Sequence, residues 1–224
     1  MPQPTQTTGL TLEEVEQAVA TLVPYLQAAG ARFSISGGAA SLLIRRHHGV
    51  AARVTEDIDL VVQPSARVTA ESISSYLLQA YPTVFVGKEL YGTIMPALAF
   101  TRPDGSVKHV EIEIFDVSVW PQRPQYNLDD PANEVTTLCV LGVDTPVFSA
   151  RWLIREKIVT AFERRGSRKE ATDLDDAIAL LNLVEDNSID MTNFEDAVRH
   201  IYSSCPEDRQ ILELKIHCPN VLGE

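Results

Sequence analysis

Two aspartates in the segment Thr55 to Val62 have the spacing of a metal site. Asp57 and Asp59 are two residues apart in a short apolar run, a pattern that favours a β-strand. Successive side chains of a strand leave opposite faces, so both carboxylates should share one face while Ile58 and Leu60 enter the core. Two adjacent carboxylates repel each other unless a cation lies between them. Because Mg²⁺ commonly binds one or two carboxylates together with phosphate oxygens, the spacing predicts a divalent metal site.

A glycine pair lies upstream of these aspartates. Gly37 and Gly38 follow the alternating run Arg32 to Ser36 and precede Ala39 to Ile44, which is typical of a helix. The pair therefore joins a predicted strand to a predicted helix, where backbone N–H groups are free and the helix dipole is positive. Glycine has no Cβ, so its backbone can approach a phosphate closely. We expect Gly37 and Gly38 to hold phosphates whose metal lies on the neighbouring strand.

A third carboxylate is available on a later predicted strand, Ser106 to Val117, which should form a hairpin with Thr93 to Phe100. Glu111 and Glu113 share one face of this strand, whereas Asp116 has the opposite parity unless a bulge intervenes. If the strand lies beside the two aspartates, Glu113 or Glu111 would complete the metal site or accept the proton of an attacking hydroxyl. The sequence favours Glu113 slightly over Glu111.

The surrounding pattern predicts a mixed N-terminal part and a helical C-terminal part. Thr11 and Glu14 form a capping box that begins the first helix, and Ser149 is a predicted N-cap after which the sequence is helical almost to its end. Further predicted elements are helices at about 67–80, 150–164, 168–185, 193–204 and 206–217, a strand at 136–141, and a second capping box of Thr192 with Glu195. We expect an α+β fold, with a short mixed sheet flanked by helices over residues 1–148 and a helical domain over residues 149–224.

Composition limits the possible partners. The chain has 224 residues and a net charge of −12, so nucleic acid would bind only through a local basic patch, and membrane surfaces are disfavoured. No apolar run approaches the roughly 18–20 residues that span a bilayer, and the N-terminus has no signal-peptide pattern. The three scattered cysteines have neither metal-ligand spacing nor a disulfide framework. These features predict a cytoplasmic protein.

One stretch of this acidic chain is basic. Residues 151–170 contain seven lysines or arginines and three glutamates, which is a local net charge of +4. Lys157 and Arg164 are seven residues apart, so on a helix they share a face. There they would contact a triphosphate and offset the charge that develops during phosphoryl chemistry. The alternative is a solvated helix face with ion pairs.

Taken together, these motifs resemble those of the nucleotidyltransferase superfamily that includes DNA polymerase β. Members carry Gly-Gly or Gly-Ser before a helix, then Asp-x-Asp or Asp-x-Glu on a strand, then a third acid on a later strand. The chain is most similar to the AbiEii-type toxin nucleotidyltransferases over about residues 33–182. Their middle motif reads here Arg53-Val54-Thr55-Glu56-Asp57-Ile58-Asp59-Leu60, and their helical segment corresponds to 155–165 and 168–177. In one departure, Thr172 stands where the family has a basic residue, with Lys169 one turn earlier.

This resemblance implies a nucleotidyltransferase fold and transfer of a nucleotide from a nucleoside triphosphate to an acceptor hydroxyl, with Mg²⁺ or Mn²⁺ as cofactor. The implied catalytic residues are Asp57, Asp59, Glu113 and Lys157; the metal ligands are Asp57, Asp59, Glu113 and Glu111; and the nucleotide-binding residues are Gly37, Gly38, Thr55, Lys157, Arg164 and Asp173. The acceptor (RNA, a protein or a small molecule) and the oligomeric state stay open. Two other functions are possible with these acids: a degenerate module that only binds a nucleotide or a partner, and a metal-dependent nuclease or phosphohydrolase.

Overall fold

The computed structural model describes residues 9–90, 92–102 and 104–221, with only the backbone at Leu90. Within this range the chain divides into two compact units. The first contains the described residues up to Leu43 together with Ala52–Val147, and the second contains Ile44–Ala51 together with the described residues from Phe148 onward. None of the helices found here is long and apolar enough to cross a lipid bilayer.

A mixed sheet forms the centre of the first unit. Its strands in the described chain are β1 (Phe33–Ser36), β2 (Asp57–Val62), β3 (Phe85–Leu90), β4 (Thr93–Thr101), β5 (Val107–Phe115), β6 (Val135–Val140) and β7 (Val143–Phe148). Across the sheet they follow the order β3-β4-β5-β2-β1-β7-β6. Strand β2 is antiparallel to β1 and parallel to β5, which places the aspartate strand between the glycine corner and the hairpin.

Among its described residues, the first unit contains the start of three α-helices: α1 (Leu12–Ala28), α2 (Gly37–His47) and α3 (Ala70–Ala80). The predicted capping box of α1 is confirmed, because Thr11 and Glu14 bond reciprocally. Tyr25 of α1 packs edge-on against Phe85, with ring centroids 5.2 Å apart. Phe85 shares a sheet face with Leu98 and Val110, so this face is the one that α1 covers.

The two faces of the sheet differ in burial, because successive side chains of a strand point to opposite faces. Ile58, Leu60 and Ile112 are fully buried on the helix-covered face. Asp57 and Asp59 lie on the other face and are half-buried. The predicted alternation of β2 is therefore confirmed, and it places both carboxylates on the face of the sheet opposite α1.

The second unit is helical with one small sheet. Within the described range it contains α4 (Ala150–Glu163), α5 (Arg168–Leu180), α6 (Glu195–Ser204), α7 (Arg209–Lys215), β8 (Ile189–Asp190) and β9 (Ile216–His217). Ser149 caps α4, as predicted, by accepting a hydrogen bond from the Trp152 backbone. Strands β8 and β9 pair in parallel. The predicted helix over 206–217 is therefore too long, because its end is strand β9.

A second prediction was also wrong in this unit. Thr192 does not cap α6; it donates its backbone and hydroxyl hydrogen bonds to Asp190. Glu195 instead accepts a hydrogen bond from Asn220. The helix begins at Glu195, one residue after a Phe194 N-cap that has no side-chain cap. The competing turn takes the Thr192 backbone N–H, which a capping box would donate to Glu195, and ties the Thr192 hydroxyl to Asp190.

Candidate active site

The acidic centre is built by pairing β2 with β5. Their parallel register places Asp57 opposite Glu111 and Asp59 opposite Glu113. Asp57, Asp59 and Glu113 each present a carboxylate oxygen, and these three atoms all lie within 4.8 Å of one another. The side chains are half-buried. Three carboxylates held this close repel one another, and a cation bound between them would relieve that repulsion.

Glu111 lies on the same face but has a different partner. Its Oε1 accepts a hydrogen bond from Lys88 Nζ at 3.0 Å. The ion pair neutralises Glu111, which does not belong to the group formed by the other three acids. Of the two glutamates left open by the sequence, the structure brings Glu113 and not Glu111 to the aspartates.

Asp116 has a structural role. Its carboxylate is fully buried and accepts hydrogen bonds from the backbone N–H groups of Ala70, Ser118 and Val119, and from the Ser118 hydroxyl. Burial by itself would raise the pKa of Asp116, but these donors outweigh burial and lower the pKa below its ordinary value. Asp116 therefore caps α3 and fixes the turn after β5, and it lies outside the acid group.

The glycine corner packs directly against the aspartate strand. Gly37 begins α2 with a φ of +60°, and a Cβ added there would lie 1.8 Å from Asp59 Oδ2. A Cβ at Gly38 would lie 2.7 Å from the hydroxyl oxygen of Thr55. Thr55 in turn donates a hydrogen bond to Asp57 Oδ1 at 2.5 Å. The sequence predicted that the missing Cβ atoms make room for phosphate; the structure shows that they also make room for Asp59 and Thr55.

The donor set fits a hard divalent cation. Carboxylate oxygens are the ligands that Mg²⁺ and Mn²⁺ prefer, and a site with three acids leaves positions for substrate oxygens. The N-terminus of α2 adds backbone N–H groups and a positive dipole beside these acids. Asp57, Asp59 and Glu113 would hold the metal, and Gly37 and Gly38 would face an anionic ligand.

A second group of predicted residues comes together in the helical unit. Lys157 Nζ lies 2.7 Å from Asp173 Oδ1 and 3.2 Å from Asp176 Oδ2. Arg164 bonds the other oxygen of Asp173 at 3.0 Å, and Arg45 lies 3.3 Å from Asp176. Both aspartates and Lys157 are buried. The predicted shared face of Lys157 and Arg164 is confirmed by their common partner Asp173. Ion pairs are present as in the alternative interpretation, but around Lys157 they are buried and not solvated.

Two members of this cluster were missed at the level of sequence. Asp176 follows Asp173 by three residues on a predicted helix, and that spacing could have placed both carboxylates on one face. Arg45 lies far away in the sequence and has no local signal. We name the five residues Arg45, Lys157, Arg164, Asp173 and Asp176 the charge cluster.

The mixed sheet with its acid group and glycine corner defines a nucleotidyltransferase-like protein. The crystal structure of an antigenic nucleotidyltransferase-like protein from Paracoccidioides brasiliensis matches with a TM-score of 0.84 and 34% sequence identity, covering 96% of this chain and 99% of that one. The solution structure of the antibiotic-resistance factor ANT(2'')-Ia matches with a TM-score of 0.43 and 14% identity, covering 88% of this chain and 96% of that one. No curated protein sequence matches the chain.

The family model for the nucleotidyl transferase AbiEii toxin of type IV toxin–antitoxin systems matches residues 26–217. The chain belongs to the AbiEii nucleotidyltransferase family. The resemblance drawn from the motifs and the predicted α+β fold are both confirmed. Family and fold together support nucleotidyl transfer as the function, with a nucleoside triphosphate as substrate.

Proposed function

We propose that the chain is a metal-dependent enzyme that transfers a nucleoside monophosphate from a nucleoside triphosphate to an acceptor hydroxyl. The observation that carries this proposal is the grouping of carboxylate oxygens from Asp57, Asp59 and Glu113 within 4.8 Å of one another. Residues 1–148 would act as the catalytic domain and 149–224 as a helical domain. Residues of two strands meet at this point, so the grouping depends on the fold and not on one local motif.

The residues around the acids have complementary tasks. Mg²⁺ or Mn²⁺, when bound by the three carboxylates, would stabilise negative charge on the reacting phosphate oxygens. Thr55 orients Asp57 through its hydroxyl hydrogen bond, which fixes one oxygen of that carboxylate. The backbone N–H groups at Gly37 and Gly38 would bind the outer phosphates of the substrate.

The chemistry is a displacement at phosphorus. The acceptor oxygen forms a bond to the α-phosphorus, the bond from that phosphorus to the oxygen bridging to the β-phosphorus breaks, and pyrophosphate leaves. The proton of the acceptor hydroxyl passes to a carboxylate, and we assign this role to Glu113, on the strand beside the aspartates. Glu111 is less suited, because Lys88 binds its carboxylate and it does not belong to the group formed by the two aspartates and Glu113.

The charge cluster contains the residues of the helical unit that the family resemblance implies in nucleotide binding. Its three cations and two carboxylates leave an excess of one positive charge in a largely buried group. Lys157 and Asp173 are the positions implied by the family resemblance, and Asp173 holds both Lys157 and Arg164. Arg164 has a side chain that is 46% exposed, and it is the member with surface available to a phosphate. On the family resemblance, we propose that Lys157, Arg164 and Asp173 belong to the nucleotide-binding residues.

Label transfer tests the function. The full chain is incubated with each α-labelled nucleoside triphosphate and with RNA or protein acceptors, in the presence and absence of Mg²⁺. We expect Mg²⁺-dependent transfer of label to an acceptor, and loss of transfer in Asp57→Asn and Asp59→Asn. Asp144→Asn, at an exposed position of β7, is the matched control and should keep full transfer.

Two results would contradict the proposal. Nucleotide binding without any turnover would indicate a degenerate binding module, and cleavage of nucleic acid without added nucleoside triphosphate would indicate a nuclease. Whether the label appears on RNA or on protein identifies the class of acceptor. A cytoplasmic location stays a prediction.

A further inference from the structure

Three aromatic side chains form a cluster next to the acid group. The ring of Phe115 lies 6.1 Å from that of Trp120 at an interplanar angle of 74°, and 5.8 Å from that of Tyr126 at 41°. Trp120 is 41% exposed, although it is one of the largest apolar side chains of the protein. We name Phe115, Trp120 and Tyr126 the aromatic cluster. The Trp120 ring thus packs against the partly buried Phe115 and still presents a large accessible surface.

The register of the sheet fixes where this cluster lies. Phe115 is two residues beyond Glu113 on β5, so the two side chains leave the same face. Its partner on β2 is Val61, which is two residues beyond Asp59 and is fully buried on that face. The cluster therefore borders the acid group along the strand direction.

The turn that carries Trp120 is held in place. The Trp120 backbone N–H donates to the Asp116 carbonyl at 3.1 Å, and its own carbonyl accepts from Arg123 at 2.9 Å. The Asp116 carboxylate fixes the intervening residues Ser118 and Val119. Trp120 is thus presented by a hydrogen-bonded turn and not by a loose loop, which lowers the entropy lost when a ligand stacks on it.

The distance between the glycine corner and the aromatic cluster suits a nucleotide. Gly37 follows Ser36, the last residue of β1. Ser36 is paired with Asp59 of β2, and Asp59 is paired with Glu113 of β5. From Gly37 to Phe115 the path crosses two strand spacings and about three residue rises, which is roughly 14 Å. Asp59 and Glu113 lie between these two points, and Asp57 lies about one residue rise beyond the level of Gly37. This span is comparable with the extended length of a nucleoside triphosphate from its outer phosphates to its base.

We propose that the aromatic cluster binds the base of the nucleoside triphosphate, with Trp120 as the exposed stacking surface. The inference rests on the proposed function, since it takes the phosphates to be held by Gly37, Gly38 and the metal-binding acids. Stacking on an aromatic face is tolerant of base identity, because every base has a π-face. Trp152 offers no such surface, because it is buried and stacks on Phe148 with ring centroids 3.7 Å apart.

The test compares ligands with and without a base. Calorimetric titration of the full chain with Mg²⁺ and each nucleoside triphosphate is set beside titration with Mg²⁺ and inorganic triphosphate. We expect Trp120→Ala to weaken nucleoside triphosphate binding by about tenfold to a hundredfold. Binding of inorganic triphosphate should be unchanged in the same variant. Trp120→Phe, which keeps an aromatic face, should recover most of the affinity.

Tryptophan fluorescence supplies a second measurement. Trp120 and Trp152 are the only tryptophans of the sequence, so quenching by a nucleoside triphosphate should disappear in Trp120→Phe if the base stacks on Trp120. Equal loss of affinity for both ligands, or no loss for either, would overturn this site while leaving the proposed function intact. Failure of the wild-type chain to bind any Mg²⁺–nucleoside triphosphate would overturn the proposed function and this site together.

Discussion

Gly37 and Asp59 are packed so closely that a single methyl group on Gly37 would overlap the carboxylate, at 1.8 Å from Oδ2. The glycine has a φ of +60°, a conformation that other residues rarely adopt. Two separate constraints thus require glycine at the start of α2. One is the backbone conformation, and the other is the position of the aspartate.

These constraints can be separated by substitution. We predict that Gly37→Ala displaces Asp59 from the acid group and lowers nucleotidyl transfer by at least about a hundredfold, a typical loss when a group that positions the reaction is moved. Gly30→Ala is the matched control, because Gly30 has a φ of +69° but nothing within 4 Å of an added Cβ. Each substitution should cost about 1–2 kcal/mol of stability through the backbone alone. Equal activity in the two variants would show that Gly37 serves the backbone only.

The buried carboxylate of Asp116 leads to a prediction about stability and pH. Asp116→Asn keeps one acceptor oxygen and replaces the other, which receives the Ala70 N–H, by an amide donor. We expect a loss of about 1–3 kcal/mol in the free energy of unfolding at neutral pH, because a buried N–H is left unsatisfied. Denaturant unfolding would measure this loss. Asp129→Asn, on an exposed ion pair with Arg32, should change stability by less than about 1 kcal/mol.

The same variant should change the acid response. The pKa of Asp116 is lowered in the folded protein, so its contribution is complete above the ordinary carboxyl pKa and is lost as the pH falls through the lowered value. The stability difference between wild type and Asp116→Asn should therefore be largest at neutral pH and shrink in acid. A difference that grows as the pH falls would contradict the assigned hydrogen bonds.

We expect Asp176, which the sequence pattern did not single out, to contribute strongly to the stability of the fold. It is fully buried and compensates both Lys157 and Arg45, so Asp176→Asn removes one charge but keeps the volume of the side chain. We predict a loss of about 3 kcal/mol or more in unfolding free energy, the usual effect of breaking a buried ion pair. Arg164→Ala, whose side chain is 46% exposed, should cost less than about 1 kcal/mol. Similar losses in both variants would argue against a buried network centred on Asp176.

The parts of the fold that were predicted correctly depend on local patterns. The alternation of β2 and the capping box of α1 both involve residues a few positions apart. Strand β7 was missed, because Pro146 lies inside it and proline disfavours an interior strand. Its turn from β6 uses Leu141 and Gly142, both with positive φ, in place of the usual Asn-Gly. The positive φ of Leu141 becomes apparent only when the pairing of β6 with β7 is known.

The acid site, too, could be predicted from the sequence only in part. That Asp57 and Asp59 share a face follows from their spacing, but the choice between Glu113 and Glu111 does not. It depends on the register of β2 against β5 and on Lys88, which reaches Glu111 from β3. Pairing between strands that are distant in the sequence has no local signature, so the third acid stayed open until the fold was known.

The two glutamates of β5 provide the sharpest test of that assignment. Glu113→Gln removes a carboxylate from the acid group, whereas Glu111→Gln removes only the partner of Lys88. We predict that Glu113→Gln lowers Mg²⁺-dependent transfer by at least about a hundredfold, the lower end of the range for lost proton transfer and charge stabilisation. Glu111→Gln should stay within about threefold of wild type, because Glu111 lies outside the acid group and pairs with the partly exposed Lys88.

The pair forms its own control, because the variants share a strand, a face and a chemical change. Initial rates of label transfer at saturating nucleoside triphosphate would be measured over a range of Mg²⁺ concentrations. Glu113→Gln should also require more Mg²⁺ for half-maximal binding of nucleoside triphosphate, since it removes a metal ligand, while Glu111→Gln should not. If Glu111→Gln shows the larger loss in both measurements, Glu111 is the third acid, and the Lys88 ion pair must open when the metal binds.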